Sequence, residues 1–211
     1  MNMISVIGFG SLLSQASARQ TAPSLENFRY GTVAGHKRIF NKVGMSFFKR
    51  EQVEAGSLEI SSCATREDSN FSIICSVFEC TERDFLAIYE REHLFKWIEV
   101  NCNTDEGVTK GRMCTEYNDS DYLLNKCVTE SEYHRRVGQY YSGRIWRSDI
   151  FPYPPYLERC LHIAKSQGEK MLKNFLDTTF LADGETSIRS FIADKNSYLS
   201  LSDERHSCQQ D

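Results

Sequence analysis

Ile4-Ser5-Val6-Ile7-Gly8-Phe9-Gly10-Ser11-Leu12-Leu13 opens the chain with a β-branched apolar run that feeds straight into Gly-x-Gly-Ser. Val and Ile favour extended backbone, and two glycines one residue apart permit positive φ and close backbone approach. The stretch reads as a strand ending in a tight turn whose N–H groups converge on one spot. Such a turn suits a small anion or a developing oxyanion. It does not match three other Gly-rich sites. A dinucleotide fingerprint needs a third glycine where Leu13 stands, and a P-loop needs a lysine, the first of which is Lys37. A nucleophile elbow needs Gly-x-Ser-x-Gly, whereas Ser11 directly follows Gly10. A turn that binds nothing stays open as the alternative.

The 211 residues suffice for one domain with a sizeable core; we expect it over residues 1–200, followed by a polar, frayed tail over 201–211. A net charge of -4 gives no electrostatic case for nucleic acid or an anionic membrane as partner. His36-Lys37-Arg38 and His134-Arg135-Arg136 are short and read as solvated faces or as contacts to carboxylate or phosphate. The eight cysteines include no Cys-x-x-Cys pair, several lie in apolar strand-like runs, and Met1 leads directly into a strand without a secretory pattern. Reduced thiols and a cytoplasmic location are expected. No apolar run nears the ~20 residues that a membrane span requires.

Strand patterns occupy about 4–9, 28–35, 38–43, 53–62, 71–80, 97–102 and 111–117, and helical patterns dominate afterwards. Strands followed by helices indicate an α+β class. Thr81 is placed to cap a helix reaching Glu92 or His93, and Thr129 to cap one reaching Tyr141. The longest helix is expected after Pro155, with Leu157, Cys160, Leu161, Ala164, Met171, Leu172, Phe175 and Leu176 as its buried stripe. A short helix is expected around 186–194.

In the helix after Thr81, Phe85, Ile88 and Tyr89 share a face whose next position is Glu92. A carboxylate ending an apolar face is partly desolvated if that face packs on a sheet, which suits a general base. The alternative is that Glu92 passes the buried part and pairs with a surface Lys or Arg. Glu90 falls off that face, and His93 points about 100° away from Glu92 on a helix. The histidines have no metal-ligand spacing. Ser11 has no identifiable base, and tyrosines such as Tyr153 and Tyr156 read as core or lid aromatics that could also bond a ligand.

Together these segments resemble the γ-glutamylcyclotransferase-like superfamily. Val6-Ile7-Gly8-Phe9-Gly10-Ser11-Leu12-Leu13 is similar to its opening [Phe/Tyr]-Gly-Ser-[Asn/Leu]-Leu signature, and Tyr89-Glu90-Arg91-Glu92 to its catalytic-glutamate segment. Asp149 to Leu157, with Ala164-Lys165-x-x-Gly168, is similar to its Pro-x-x-Tyr…Ala-Lys-x-x-Gly segment. Phe9 stands where a tyrosine is common, Leu12 is similar to the glutathione-degrading branch, and His93 replaces the glycine that usually follows the glutamate.

The resemblance implies a small twisted mixed β-barrel-like sheet with flanking helices. It also implies cyclisation of a γ-glutamyl group to 5-oxoproline with release of an amine, amino acid or dipeptide. Glu92 would be the base and then the acid. Phe9, Gly10, Ser11, Leu12 and Tyr156 would bind the γ-glutamyl substrate, with no metal or organic cofactor. We expect a monomer or homodimer. Glutathione, γ-glutamyl dipeptides and γ-glutamylamines all stay open as substrates. The alternatives are a non-catalytic module that binds a small anion or γ-glutamyl ligand on the same fold, and a structural protein.

Overall fold

The computed structural model describes residues 3–54 and 56–194. Strand β1 (Met3–Gly8) leads through a 3₁₀ turn over Ser11–Leu13 into helix α1 (Gln15–Arg19). Two long strands follow, β2 (Glu26–Val43) and β3 (Glu59–Thr81), with the short helix α2 (Met45–Lys49) between them. Helix α3 (Glu82–Arg91) precedes β4 (Lys96–Thr104) and β5 (Gly107–Thr115). Helix α4 (Asp119–Tyr122) continues as a π-helical turn over Leu123–Cys127, and α5 (Glu130–Tyr133) as another over His134–Gly138. Then come β6 (Phe151–Pro152), α6 (Pro154–Ser166), α7 (Glu169–Asp177) and β7 (Thr179–Leu181). Residues 188–194 are helical.

The strands run β6-β3-β1-β5-β4-β2-β7, and a further β3–β2 pairing closes β3, β1, β5, β4 and β2 into a five-stranded barrel. The sheet is mixed: β1 lies parallel to β5 and antiparallel to β3. The expected α+β, barrel-like class is therefore present. Closure demands strands that bend, and β2 does so at register shifts between Glu26 and Arg29, Ala34 and His36, and Ile39 and Lys42.

Three apolar clusters hold this frame. Ile7, Val33, Ile39, Phe40, Ile73 and Val77 of the barrel pack with Leu157, Cys160, Ala164, Met171 and Phe175 of α6 and α7. On the other side Phe85 and Ile88 of α3 pack with Val6, Leu12, Leu25 and Phe78. A third cluster joins Val43 and Ile60 to Tyr122, Val137 and Ile145. The α3 face forms as its spacing predicts, because Thr81 accepts from the Asp84 N–H at its N-terminus. Thr129 caps α5 in the same way.

Several expectations need correction. The strands expected at 28–35 and 38–43 are one strand, and β3 absorbs 71–80, while 53–54 and 56–58 are not strand. The helix expected to run unbroken past Leu157 divides at Gly168, whose φ of 99 ends α6 and redirects the chain into α7. The helix after Thr129 closes at Gly138 instead of Tyr141. The single-domain reading over 1–200 extends past the last described residue, and the tail over 201–211 lies outside the described residues, as does Cys208. The other seven cysteines are buried and unpaired. No helix among the described residues is long and apolar enough to cross a membrane.

Candidate active site

A cavity of about 560 Å³ opens where the turn after β1, the end of α3, α2 and the start of α6 meet. Phe9, Gly10, Ser11, Leu12, Glu92 and Tyr156 all line it. Residues far apart in sequence thus face one space.

The turn is held from behind by its carbonyls. Arg38 Nε donates to Phe9 O at 2.9 Å, Ser76 Oγ to Leu12 O at 2.7 Å, and Tyr30 Oη to Leu13 O at 2.9 Å. The Leu13 N–H closes onto Gly10 O at 3.0 Å. In a planar trans peptide the C=O and the following N–H point in opposite directions. With Phe9 O drawn to Arg38, the Gly10 N–H is directed away from Arg38. The Ser11 and Leu12 N–H groups, at the start of a 3₁₀ turn, have no partner within it.

Positive φ plays no part here, contrary to the sequence expectation: neither Gly8 nor Gly10 adopts it. Both are needed for space. A β-carbon on Gly8 would lie 2.5 Å from Leu12 Cβ and 2.7 Å from Ser76 Oγ. One on Gly10 would lie 2.8 Å from Tyr156 Oη.

Glu92 terminates α3, its N–H bonded to Ile88 O at 2.9 Å. Its side chain is about four-fifths buried and pairs with Arg91, Nε to Oε1 at 3.0 Å. Glu92 is thus partly desolvated, as the first sequence alternative requires, and not past the buried part of the helix, although it has the arginine partner that the second expects. Arg91 also donates to Ser11 Oγ at 2.9 Å and to Thr21 Oγ1 at 3.0 Å, tying Glu92 to the turn. Ser11 Oγ accordingly accepts from an arginine, and no hydrogen bond joins it to a carboxylate or a histidine among the described residues. Glu90 is exposed and pairs with Arg136 at 2.8 Å. His93 turns away from the cavity, buried with Nδ1 3.2 Å from Tyr122 Oη.

Lys42 is the lining residue that sequence reasoning missed. It is 7% exposed, its Nζ 3.4 Å from Val43 O and 4.6 Å from the Phe95 ring centre, and it forms no carboxylate contact among the described residues. Burial lowers its pKa to about 8, opposed by the negative charge of Glu92. The register shift between Ile39 and Lys42 breaks strict alternation and changes which of these side chains faces the cavity.

Arg38 was also misread. Far from a solvated face, it is fully buried, bonding Phe9 O, Ile74 O, Asn174 Oδ1 and Thr178 Oγ1, with its guanidinium 5.1 Å above the Phe175 ring. Lys37 beside it is buried too, but its pairing with Asp68 at 3.1 Å is one of the carboxylate contacts the sequence reading allows. Arg135 and Arg136 make carboxylate contacts of the expected kind, both with Glu132 and Arg136 also with Glu90.

Burial raises the Tyr156 phenol pKa well above its usual value, so it stays protonated and able to donate. Phe40 and Phe47 pack around its ring. Burial likewise raises the Cys63 and Cys114 thiol pKa values, which leaves these cavity cysteines poor nucleophiles. No group of His, Cys, Asp and Glu suited to a metal ion occurs among the described residues.

No protein-family model matches the chain, and no curated protein matches it. Among solved structures it is similar to a γ-glutamyl cyclotransferase at 15% identity, with 56% of this chain and 68% of that one covered and a TM-score of 0.45. It is also similar to an AIG2-like protein from Mus musculus at 10% identity, covering 57% of this chain and 82% of that one, TM-score 0.39. A third likeness is YkqA from Bacillus subtilis, at 10% identity over 79% of this chain and 49% of that one, TM-score 0.49. At these identities and TM-scores no residue role passes from those proteins to this chain.

Proposed function

We propose that the protein cyclises the γ-glutamyl group of a small substrate to 5-oxoproline, releasing an amine, amino acid or dipeptide. The observation that carries this reading is the position of Glu92. It is the sole carboxylate lining the cavity among the described residues, and it shares the cavity with the Gly10–Leu12 turn. Cyclisation asks for little more than this. The nucleophile is tethered to its own electrophile, so proximity supplies much of the acceleration. A base and an oxyanion site complete the requirement.

Glu92 takes a proton from the substrate's α-ammonium; with Arg91 on Oε1, Oε2 is the oxygen assigned to that step. The freed amine attacks the γ-carbonyl carbon and closes a five-membered ring. The carbonyl oxygen gathers charge against the turn N–H groups and the Tyr156 hydroxyl. The C–N bond to the leaving group then breaks as Glu92 returns its proton to the departing nitrogen, and the second proton, shed by the ring nitrogen as it becomes an amide, leaves on the released amine as its ammonium. Lys42 holds the α-carboxylate, which gives its buried ammonium an anion to face. Water is not consumed.

The test is mass balance with γ-glutamyl substrates. Equal amounts of 5-oxoproline and free amine support the proposal. Glutamate instead of 5-oxoproline shows hydrolysis and refutes it. Ligand-induced thermal stabilisation without any product leaves the binding-module alternative in its place.

A further inference from the structure

We infer that the leaving group carries its own carboxylate: the cavity selects a γ-glutamyl amino acid or peptide with a free C-terminus over a γ-glutamylamine. This rests on the cyclotransferase reading for the γ-glutamyl half of the ligand. The charge of the remaining cavity wall carries it further.

The chain has a net charge of -4, yet its cavity is cationic. Lys42, Arg50, Arg91 and Arg159 line it, opposed by Glu92 alone among the described residues. An α-amino acid head is a zwitterion: its ammonium is matched by Glu92 and its carboxylate by Lys42. Arg91 is committed to Glu92, Ser11 and Thr21. Two cations are left over. Arg50, just past the end of α2, and Arg159, on α6, are both exposed on the cavity wall. Neither forms an ion pair with any carboxylate among the described residues.

A carboxylate on the leaving group offers these arginines a planar, bidentate partner. A leaving group that ends in an ammonium meets like charge instead. The arginines are exposed, so solvent screening limits the effect and makes it dependent on salt. The released product is then an amino acid or peptide whose α-amine has gained the proton returned by Glu92.

The experiment compares γ-Glu-Ala with γ-Glu-alaninamide, which share the γ-glutamyl group and differ by one negative charge. Calorimetric affinity is measured at low and high salt, and 5-oxoproline release is measured separately. γ-Glu-Ala is expected to bind roughly tenfold tighter at low salt, on the scale of one charge-assisted contact. The preference should shrink at high salt and in the double variant Arg50→Gln/Arg159→Gln. Equal affinities, a tighter amide, no binding of γ-Glu-Ala, or a preference unchanged in the double variant would overturn the inference. The preference without 5-oxoproline from either ligand would uphold the cationic wall and sink the cyclotransferase reading. Equal affinities with 5-oxoproline from both would do the reverse.

Discussion

The Tyr156 hydroxyl lies 2.8 Å from the point where a β-carbon on Gly10 would sit. Helix α6 thereby lays a protonated phenol over the glycine turn, and the glycine is what admits it. Gly10→Ala must displace this hydroxyl from the cavity wall. We predict roughly tenfold weaker binding of a γ-glutamyl ligand in this variant, the scale of one lost polar contact. Calorimetry decides it; unchanged affinity would mean that this contact contributes nothing to binding.

Lys42 should show opposite effects on stability and on binding. With its pKa brought to about 8 by burial, its ammonium is held at a cost at neutral pH. Between about 8 and its usual value near 10.5 the unfolded chain holds a proton that the folded chain does not, so stability contributed by this group rises with pH across that window. Lys42→Met is therefore predicted to stabilise the fold by about 1–3 kcal/mol while weakening anionic ligands about tenfold or more. Wild-type affinity for the same ligands should fall as pH rises through about 8. A destabilised Met variant, or one that binds as well as wild type, contradicts this assignment.

His93 predicts an acid-sensitive step. Burial lowers its pKa from about 6.5 to about 4. Below 6.5 the unfolded chain takes up a proton that the folded His93 refuses, so stability falls as pH drops from 6.5 towards 4. The loss from this group reaches up to about 3 kcal/mol. Urea titrations across that range should show a flatter dependence in His93→Gln than in wild type. An identical dependence would remove His93 from the account.

Arg38 links the barrel, α7 and the turn through one guanidinium. Lysine keeps the charge but cannot reach these acceptors together, and it leaves buried oxygens without donors. Arg38→Lys is predicted to cost about 2–4 kcal/mol in denaturant unfolding. It should also lower ligand affinity, because Phe9 O loses its anchor. An unchanged unfolding midpoint would contradict this.

The features legible from sequence were those written in local pattern. The Ile4–Ile7 run predicts β1, Thr81 predicts the start of α3, and the α3 face leads to Glu92. The stripe from Leu157 to Leu176 is buried or partly buried as its spacing requires. Its interruption was less visible, although Gly168 stood in the right place to mark it. Lys42 and Arg38 could not be read as buried because alternation in β2 suggests exposed polar positions. Barrel closure puts Arg38 inside, and for Lys42 the shift between Ile39 and Lys42 adds to it. Their signal was faint: Arg38 precedes the apolar pair Ile39-Phe40 and Lys42 stands two residues after it, in a strand that β3, β4 and β7 all contact. Of the two reasons the sequence offers for a glycine at position 10, the structure bears out close approach and not positive φ.

The central claim is that Glu92 moves the proton in a 5-oxoproline-forming cyclisation. The most direct measurement is 5-oxoproline release by wild type and Glu92→Gln, each first shown to fold and to bind γ-Glu-Ala. The account predicts product from wild type and a fall of about two to four orders of magnitude in kcat for the Gln variant, the range of general acid–base catalysis. Wild-type turnover retained by the folded Gln variant, or no 5-oxoproline from the wild type on any γ-glutamyl substrate, would contradict it.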